Sequence, residues 1–112
     1  MPFASIEDAI AAFGRGEIVV VVDDASRENE GDLIMAAQFA TSDKLAFFLN
    51  HTSGVICIPM TGERLDALEL PPMVFDNTES NRTAFTVSVD ARHGATTGIS
   101  AADRAATIAA LV

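Results

Sequence analysis

The apolar residues of this chain alternate between the spacing typical of helices and the short continuous runs typical of strands. Hydroxyl residues stand where four helices are expected to begin: Ser5, Thr41 or Ser42, Thr61 and Ser100. Four further segments predict strands near residues 18–22, 33–38, 55–58 and 85–89, of which 18–22 and 55–58 have the unbroken apolar pattern of strands buried on both faces. The pattern therefore predicts an α/β (α+β) fold in which helices pack on a mixed central sheet.

The last predicted helix has no stop signal. Ile108 and Val112 continue its apolar face, and no Gly, Asn or Pro follows them. A domain rarely ends on an apolar helical face that nothing covers, so we expect the sequence to be cut within a domain or its last turn to lie against further structure.

Composition narrows the function classes. The 112 residues suit one domain, and the net charge of −9 argues against binding to nucleic acids or anionic membranes. A single cysteine excludes an intrachain disulfide and suits a reducing compartment. We see neither a signal peptide nor an apolar run long enough to span a bilayer, so we expect a cytoplasmic protein.

The segment between the first two predicted strands is strongly acidic. It gathers five carboxylates around Arg27, namely Asp23, Asp24, Glu28, Glu30 and Asp32. Close carboxylates repel one another, whereas Mg²⁺ prefers such oxygen ligands. Spacing alone leaves two interpretations open, a solvated acidic turn and a cation site, and Arg27 favours a site because its guanidinium can hold an anion or orient a carboxylate. The ligand spacing of an EF-hand is absent.

Residues 23–33 resemble the signature of the 3,4-dihydroxy-2-butanone 4-phosphate synthase family. The motif reads Asp-Asp-x-x-Arg-Glu-Asn-Glu-Gly-Asp-Leu and is nearly gapless. Three later segments resemble the same family: His-Thr-Ser-Gly at 51–54 running into Cys57, Thr-Val-Ser-Val-Asp-Ala at 86–91, and Thr-Gly-Ile-Ser-Ala-Ala-Asp-Arg at 97–104. The resemblance covers essentially the whole chain, and it identifies residues 1–112 as the N-terminal portion of a single longer domain.

The resemblance implies a lyase of riboflavin biosynthesis that converts ribulose 5-phosphate to 3,4-dihydroxy-2-butanone 4-phosphate and formate. It implies a Mg²⁺ or Mn²⁺ cofactor, a homodimer, and a parent protein compatible with fusion to GTP cyclohydrolase II. The implied roles are metal and substrate binding for Glu28, substrate binding for Arg27, Asp32 and Thr97, and catalysis for Glu30, Asp23 and Cys57. A lone cysteine in an apolar strand is usually a core residue, so for Cys57 the resemblance reverses the ordinary interpretation.

The family also carries an Arg-x-Gly-His-Thr motif, whose histidine is a second metal ligand, and this sequence does not contain it. We expect His51 to be a structural hydrogen-bonding residue and His93 to be exposed. We therefore expect this chain alone to be inactive. The alternative function is a non-catalytic acidic module that binds divalent metal or a partner.

Overall fold

Local hydrogen bonds fix where each helix begins. The structure, a computed structural model, describes residues 2–112. Within them the helices are α1 (Ile6–Gly14), α2 (Ser42–His51), α3 (Gly62–Ala67) and α4 (Ala101–Leu111). The hydroxyl oxygen of the preceding residue accepts a hydrogen bond from a backbone N–H in each first turn, and these capping residues are Ser5, Thr41, Thr61 and Ser100. All four predicted helix starts are confirmed, with Thr41 as the cap of α2.

The acidic segment is the loop of a β-hairpin. Strand β1 (Val19–Val22) pairs antiparallel with β2 (Gly31–Ile34), and the register places Val19 opposite Ile34 and Val22 opposite Gly31. The predicted first strand is confirmed. The second strand begins two residues earlier than predicted and gives way to a single 3₁₀ turn at Ala37–Phe39, where residues 33–38 were expected to remain extended.

The predicted α+β fold class is confirmed, but two of the four predicted strands are wrong. Residues 55–58 are extended without pairing to any described residue, and residues 85–89 form one isolated bridge, between Pro72 and Thr86. The sheet within residues 2–112 therefore has two antiparallel strands. An extended segment becomes a strand only when a neighbour accepts and donates its backbone hydrogen bonds. Residues 55–58 have no such neighbour within residues 2–112, and residues 85–89 have one only at residues 71–73, through two backbone hydrogen bonds.

The centre of the structure lies where α2 packs on α4. Leu45 of α2 is only 2% exposed and is the one buried large apolar side chain among residues 2–112. The prediction that β1 is buried on both faces is wrong, since Val20, Val21 and Val22 are exposed. Among the described elements β1 pairs with β2 and contacts α1, and these contacts leave the three valines exposed.

The surface area shows how open this arrangement is. The chain exposes 8550 Å², whereas a compact monomer of its mass exposes roughly 5,900 Å². The radius of gyration is 15.4 Å, compared with about 13 Å for a compact domain of this length. Much apolar surface that a domain normally buries is therefore exposed. No helix within residues 2–112 combines the length and apolarity needed to cross a bilayer.

Candidate active site in the acidic loop

Asp23 organises the acidic loop from its first position. Its Oδ2 accepts hydrogen bonds from the backbone N–H of Glu28 and from Arg27 Nη1, both at 3.0 Å, and its Oδ1 accepts one from the N–H of Glu30 at 2.8 Å. The backbone N–H of Glu30 leads these contacts in holding the pKa of Asp23 below its ordinary value, and Glu28 and Arg27 add to it. Asp23 is therefore held as an anion that closes the loop.

Asp24 shapes the next turn. Its Oδ1 accepts a hydrogen bond of 2.7 Å from the N–H of Ser26. The hydroxyl of Ser26 and, after it, this N–H hold the pKa of Asp24 below its ordinary value. The carbonyl oxygen of Asp24 accepts from the N–H groups of Arg27 and Asn29, at 3.0 and 3.2 Å. Asn29 has a φ of 53°, a left-handed conformation that Asn tolerates better than most residues. These local hydrogen bonds offset the electrostatic repulsion that the sequence predicts among the loop carboxylates.

Arg27 is the cation of the loop and orients two carboxylates. Its Nη1 lies 3.0 Å from Asp23 Oδ2 and 2.8 Å from Glu28 Oε1. These partners, with Asp32 farther off, raise the pKa of Arg27 above its ordinary value. Because 61% of the Arg27 side chain is exposed, its other guanidinium hydrogens remain open to solvent. The geometry thus realises the carboxylate-orienting role and is compatible with an additional anion.

Glu30 and Asp32 border a cavity of about 390 Å³. Its other lining residues come from the start of β2, from the end of α2 and from the segment that follows it: Gly31, Leu33, Phe48, His51, Thr52, Ser53 and Val55. No side-chain hydrogen bond or ion pair within residues 2–112 occupies the carboxylate of Glu30 or that of Asp32. The cavity therefore presents two unengaged carboxylates beside hydroxyl groups and an imidazole.

The residues present fit part of a magnesium site. Glu28, Glu30 and Asp32 offer the carboxylate oxygens that Mg²⁺ takes, and Mg²⁺ commonly uses only one or two protein carboxylates with water and substrate oxygens. Within residues 2–112 there is no cluster of three or more His, Cys, Asp or Glu side chains arranged to hold a metal ion. The loop can thus contribute ligands, and the described residues do not complete a set.

Cys57 and Thr97 lie outside this cavity lining. Cys57 is a free, exposed thiol, so the core interpretation of this residue is wrong. It shares the exposed side of the extended segment with Val55, which does line the cavity. Thr97 is exposed and stands in a turn immediately before Gly98. The structure therefore brings Glu30 and Asp32 together at the cavity and leaves Cys57 and Thr97 beyond its wall.

Sequence reasoning missed the wall that α2 provides. His51 lines the cavity and its ring stacks at an angle on Phe47, with centroids 4.4 Å apart. Its imidazole makes no hydrogen bond to a described residue, so the expected structural hydrogen-bonding role is not seen. His93 is exposed, as predicted. The His-Thr-Ser-Gly motif at 51–54 could have pointed to this wall. The motif alone, however, does not indicate which loop these residues face.

Comparisons with known proteins identify the family of this chain. The sequence model of 3,4-dihydroxy-2-butanone 4-phosphate synthase matches residues 7–112. The chain belongs to the 3,4-dihydroxy-2-butanone 4-phosphate synthase family. The synthase of Agrobacterium fabrum is 62% identical over 112 residues, which are 100% of this chain and 53% of that protein. Riboflavin biosynthesis protein RibBA of Nocardia farcinica is 59% identical over 95% of this chain and 26% of its own length.

A solved synthase structure has the same fold. A crystal structure of a 3,4-dihydroxy-2-butanone 4-phosphate synthase in complex with two magnesium ions matches with a TM-score of 0.94 and 55% identity, over 97% of this chain and 51% of that one. The chain thus spans about half the length of the synthases it matches. The chain therefore shares the fold of about half of that synthase, which is in complex with two magnesium ions.

Proposed function

We propose that the protein from which this chain derives is a Mg²⁺- or Mn²⁺-dependent lyase that converts ribulose 5-phosphate to 3,4-dihydroxy-2-butanone 4-phosphate and formate. The observation that carries the proposal is the cavity bordered by Glu30 and Asp32, in a chain that belongs to the synthase family. One relative of this chain is named riboflavin biosynthesis protein RibBA, and that name supports the same assignment. The protein would act in the cytoplasm and as a homodimer.

The proposed reaction needs enolisation, loss of one water, a shift of the carbon skeleton, and addition of one water that cleaves the rearranged skeleton to release formate, so that no water is lost overall. Glu28 would hold the divalent cation, which when bound supplies Lewis-acid polarisation of neighbouring substrate oxygens. Arg27, already oriented toward Glu28 at 2.8 Å, would keep that carboxylate in place and offer its exposed hydrogens to the substrate. Asp32, unengaged at the cavity edge, would accept hydrogen bonds from substrate hydroxyls.

Proton transfer divides the loop carboxylates. Glu30 lines the cavity and its carboxylate has no described partner, so it would accept and return protons during enolisation. Asp23 would also transfer protons. The three hydrogen bonds that it accepts would keep it an anion and at the same time fix the backbone of Glu28 and Glu30. Cys57 and Thr97 would reach the substrate from the extended segment and from the neighbouring turn.

We further propose that residues 1–112 are the N-terminal portion of a longer synthase domain and are inactive alone. The exposed area of 8550 Å² exceeds that of a compact monomer of this mass by roughly 2,600 Å². The chain also spans only about half of its synthase relatives. An incomplete ligand cluster is the expected consequence of such a division.

The direct experiment is formate release from ribulose 5-phosphate by the full-length protein. Formate should appear with Mg²⁺ or Mn²⁺, disappear with a chelator and return when the metal is restored. The 112-residue chain under the same conditions should release none. The alternative, a non-catalytic acidic module that binds divalent metal or a partner, predicts metal binding by the full-length protein without formate at any metal concentration.

A further inference from the structure

Asp103 is the one buried charged residue among residues 2–112. It is 5% exposed and stands in the first turn of α4. Its Oδ2 accepts three hydrogen bonds, from the N–H of Thr96 at 2.9 Å, from the hydroxyl of Thr96 at 2.8 Å and from the N–H of Gly98 at 3.0 Å. One carboxylate oxygen therefore fixes the residues on both sides of Thr97.

Gly98 shows how closely the turn is fitted. It adopts a φ of 84°, and a Cβ added there would lie 2.2 to 2.5 Å from the carboxyl group of Asp90. A side chain at this position would have to displace the Asp90 carboxyl group, so only glycine fits the turn while Asp90 stays in place. The buried Asp103 contact and the Gly98 fit together define where Thr97 stands.

Arg104 joins this turn to the wall of the cavity. Its Nε donates a hydrogen bond of 2.9 Å to the carbonyl oxygen of Ile99, and its Nη1 donates one of 2.8 Å to the carbonyl oxygen of Gly54. Gly54 lies between Ser53 and Val55, both of which line the cavity. Arg104 therefore bridges two segments that are 45 residues apart in sequence. Its guanidinium donates to backbone carbonyls and not to an anion.

We propose that Asp103 and Arg104 are positioning residues, which hold the Thr96–Ile99 turn against the Gly54 end of the cavity wall so that Thr97 and the wall present one surface to the sugar phosphate. The inference rests on the proposed function, because the surface matters only if a substrate occupies the cavity. The hydrogen bonds from Thr96, first its hydroxyl and then its N–H, also lower the pKa of Asp103 from its ordinary value, so it stays an anion at neutral pH.

The test is steady-state kinetics of formate release by the full-length protein. Asp103→Ala and Arg104→Met should each raise KM for ribulose 5-phosphate at least tenfold. Asp103→Asn, which keeps one oxygen for the three donors, and Arg104→Lys, which can reach one carbonyl, should raise KM several-fold and so rescue part of the loss. If the alanine or methionine variant does not fold, the two conservative variants decide alone.

Thr61→Ala is the matched control. It removes the hydrogen bond that the N–H of Arg64 donates to Thr61 in the first turn of α3, a helix that contributes no residue to the cavity lining, and so should lower stability without moving the cavity wall. A destabilised but correctly shaped enzyme loses active molecules, which lowers apparent kcat and leaves KM unchanged; this is the result expected for Thr61→Ala. The same pattern in the conservative variants at 103 and 104 would overturn the inference while leaving the proposed function intact. Absence of formate from the unchanged protein would instead refute the proposed function, and the inference with it.

Discussion

Replacing Gly98 by alanine should destabilise the protein more than the same replacement at Gly94. Both glycines have positive φ, 84° at Gly98 and 81° at Gly94, so an alanine at either site carries a left-handed backbone cost of roughly 1–2 kcal/mol. At Gly94 the added Cβ meets only the Cβ of Ala106, at 3.9 Å, which is ordinary contact. At Gly98 it meets the Asp90 carboxyl group at 2.2 to 2.5 Å, which no unmoved structure tolerates.

The extra cost at Gly98 follows from what must move. Asp90 has to leave its rotamer, which costs roughly 0.5–1.5 kcal/mol if the side chain is forced off a staggered well. Gly98→Ala should therefore lower the free energy of unfolding by about 1.5–3.5 kcal/mol, compared with about 1–2 kcal/mol for Gly94→Ala. The double variant Asp90→Ala/Gly98→Ala removes the obstructing carboxyl and should return to the level of Gly94→Ala.

Urea unfolding followed by far-ultraviolet circular dichroism measures these differences. Circular dichroism suits the chain because it contains neither Trp nor Tyr, and α4 supplies helical signal beside the turn. Equal losses for Gly98→Ala and Gly94→Ala, or a double variant no better than Gly98→Ala, would show that Asp90 does not sit over Gly98. The close fit of the Thr97 turn would then be refuted.

Three further predictions test the core, the substrate contact and the loop. Leu45→Ala should lower the free energy of unfolding by about 2–5 kcal/mol, whereas Phe47→Ala, at a side chain 45% exposed, should cost clearly less; similar losses in denaturant unfolding would refute the central place of Leu45. Asp32→Ala in the full-length protein should raise KM for ribulose 5-phosphate and leave divalent-metal affinity nearly unchanged, and a change confined to metal affinity would contradict its substrate role. The lowered pKa of Asp23 means that its stabilisation of the loop is present above its ordinary value of 3.8 and is lost as pH falls through the lower folded value. In an NMR pH titration the amide signal of Glu30 should therefore shift with a midpoint below 3.8, and a midpoint at or above that value would contradict the hydrogen bonds drawn to Asp23.

The features predicted correctly from the sequence are those set by local contacts. A hydroxyl side chain and an amide three residues later determine a helix start, so Ser5, Thr61 and Ser100 could be read directly. The first strand and the acidic loop that follows it were also predictable, because a β-branched run and a crowd of carboxylates are each visible in a short window. The synthase family itself followed from such a window, residues 23–33.

The features that could not be predicted depend on distant partners. Residues 55–58 have the pattern of a buried strand, yet a strand exists only where another segment pairs with it, and sequence pattern does not identify that segment. Arg104 donates hydrogen bonds to the carbonyls of Ile99 and Gly54, which are 5 and 50 residues away in the sequence. Its role follows from the packing of α4 beside α2. No local sequence motif indicates that packing.

The early start of β2 has a similar cause. Gly31 and Asp32 look like loop residues, and the hairpin register nevertheless pairs them with Val22 and Val21. The register also places the Asp32 side chain at the cavity beside Glu30. By composition Glu30 and Asp32 look like the other acidic residues of the loop. Their hydrogen bonding differs, because the Asp23 carboxylate accepts three hydrogen bonds within the loop and theirs accept none from a described side chain.

The central claim is that the acidic loop carries the chemistry of the synthase, and Glu28→Gln tests it most directly. The variant keeps the shape of the side chain and removes the charge proposed to hold the divalent cation, while Glu63→Gln removes a charge from the exposed first turn of α3 as a matched control. In the full-length protein with saturating Mg²⁺ and ribulose 5-phosphate, formate release should fall at least a hundredfold for Glu28→Gln and stay near the unchanged rate for Glu63→Gln. Equal rates for the two variants would contradict the claim and assign the loop a structural role.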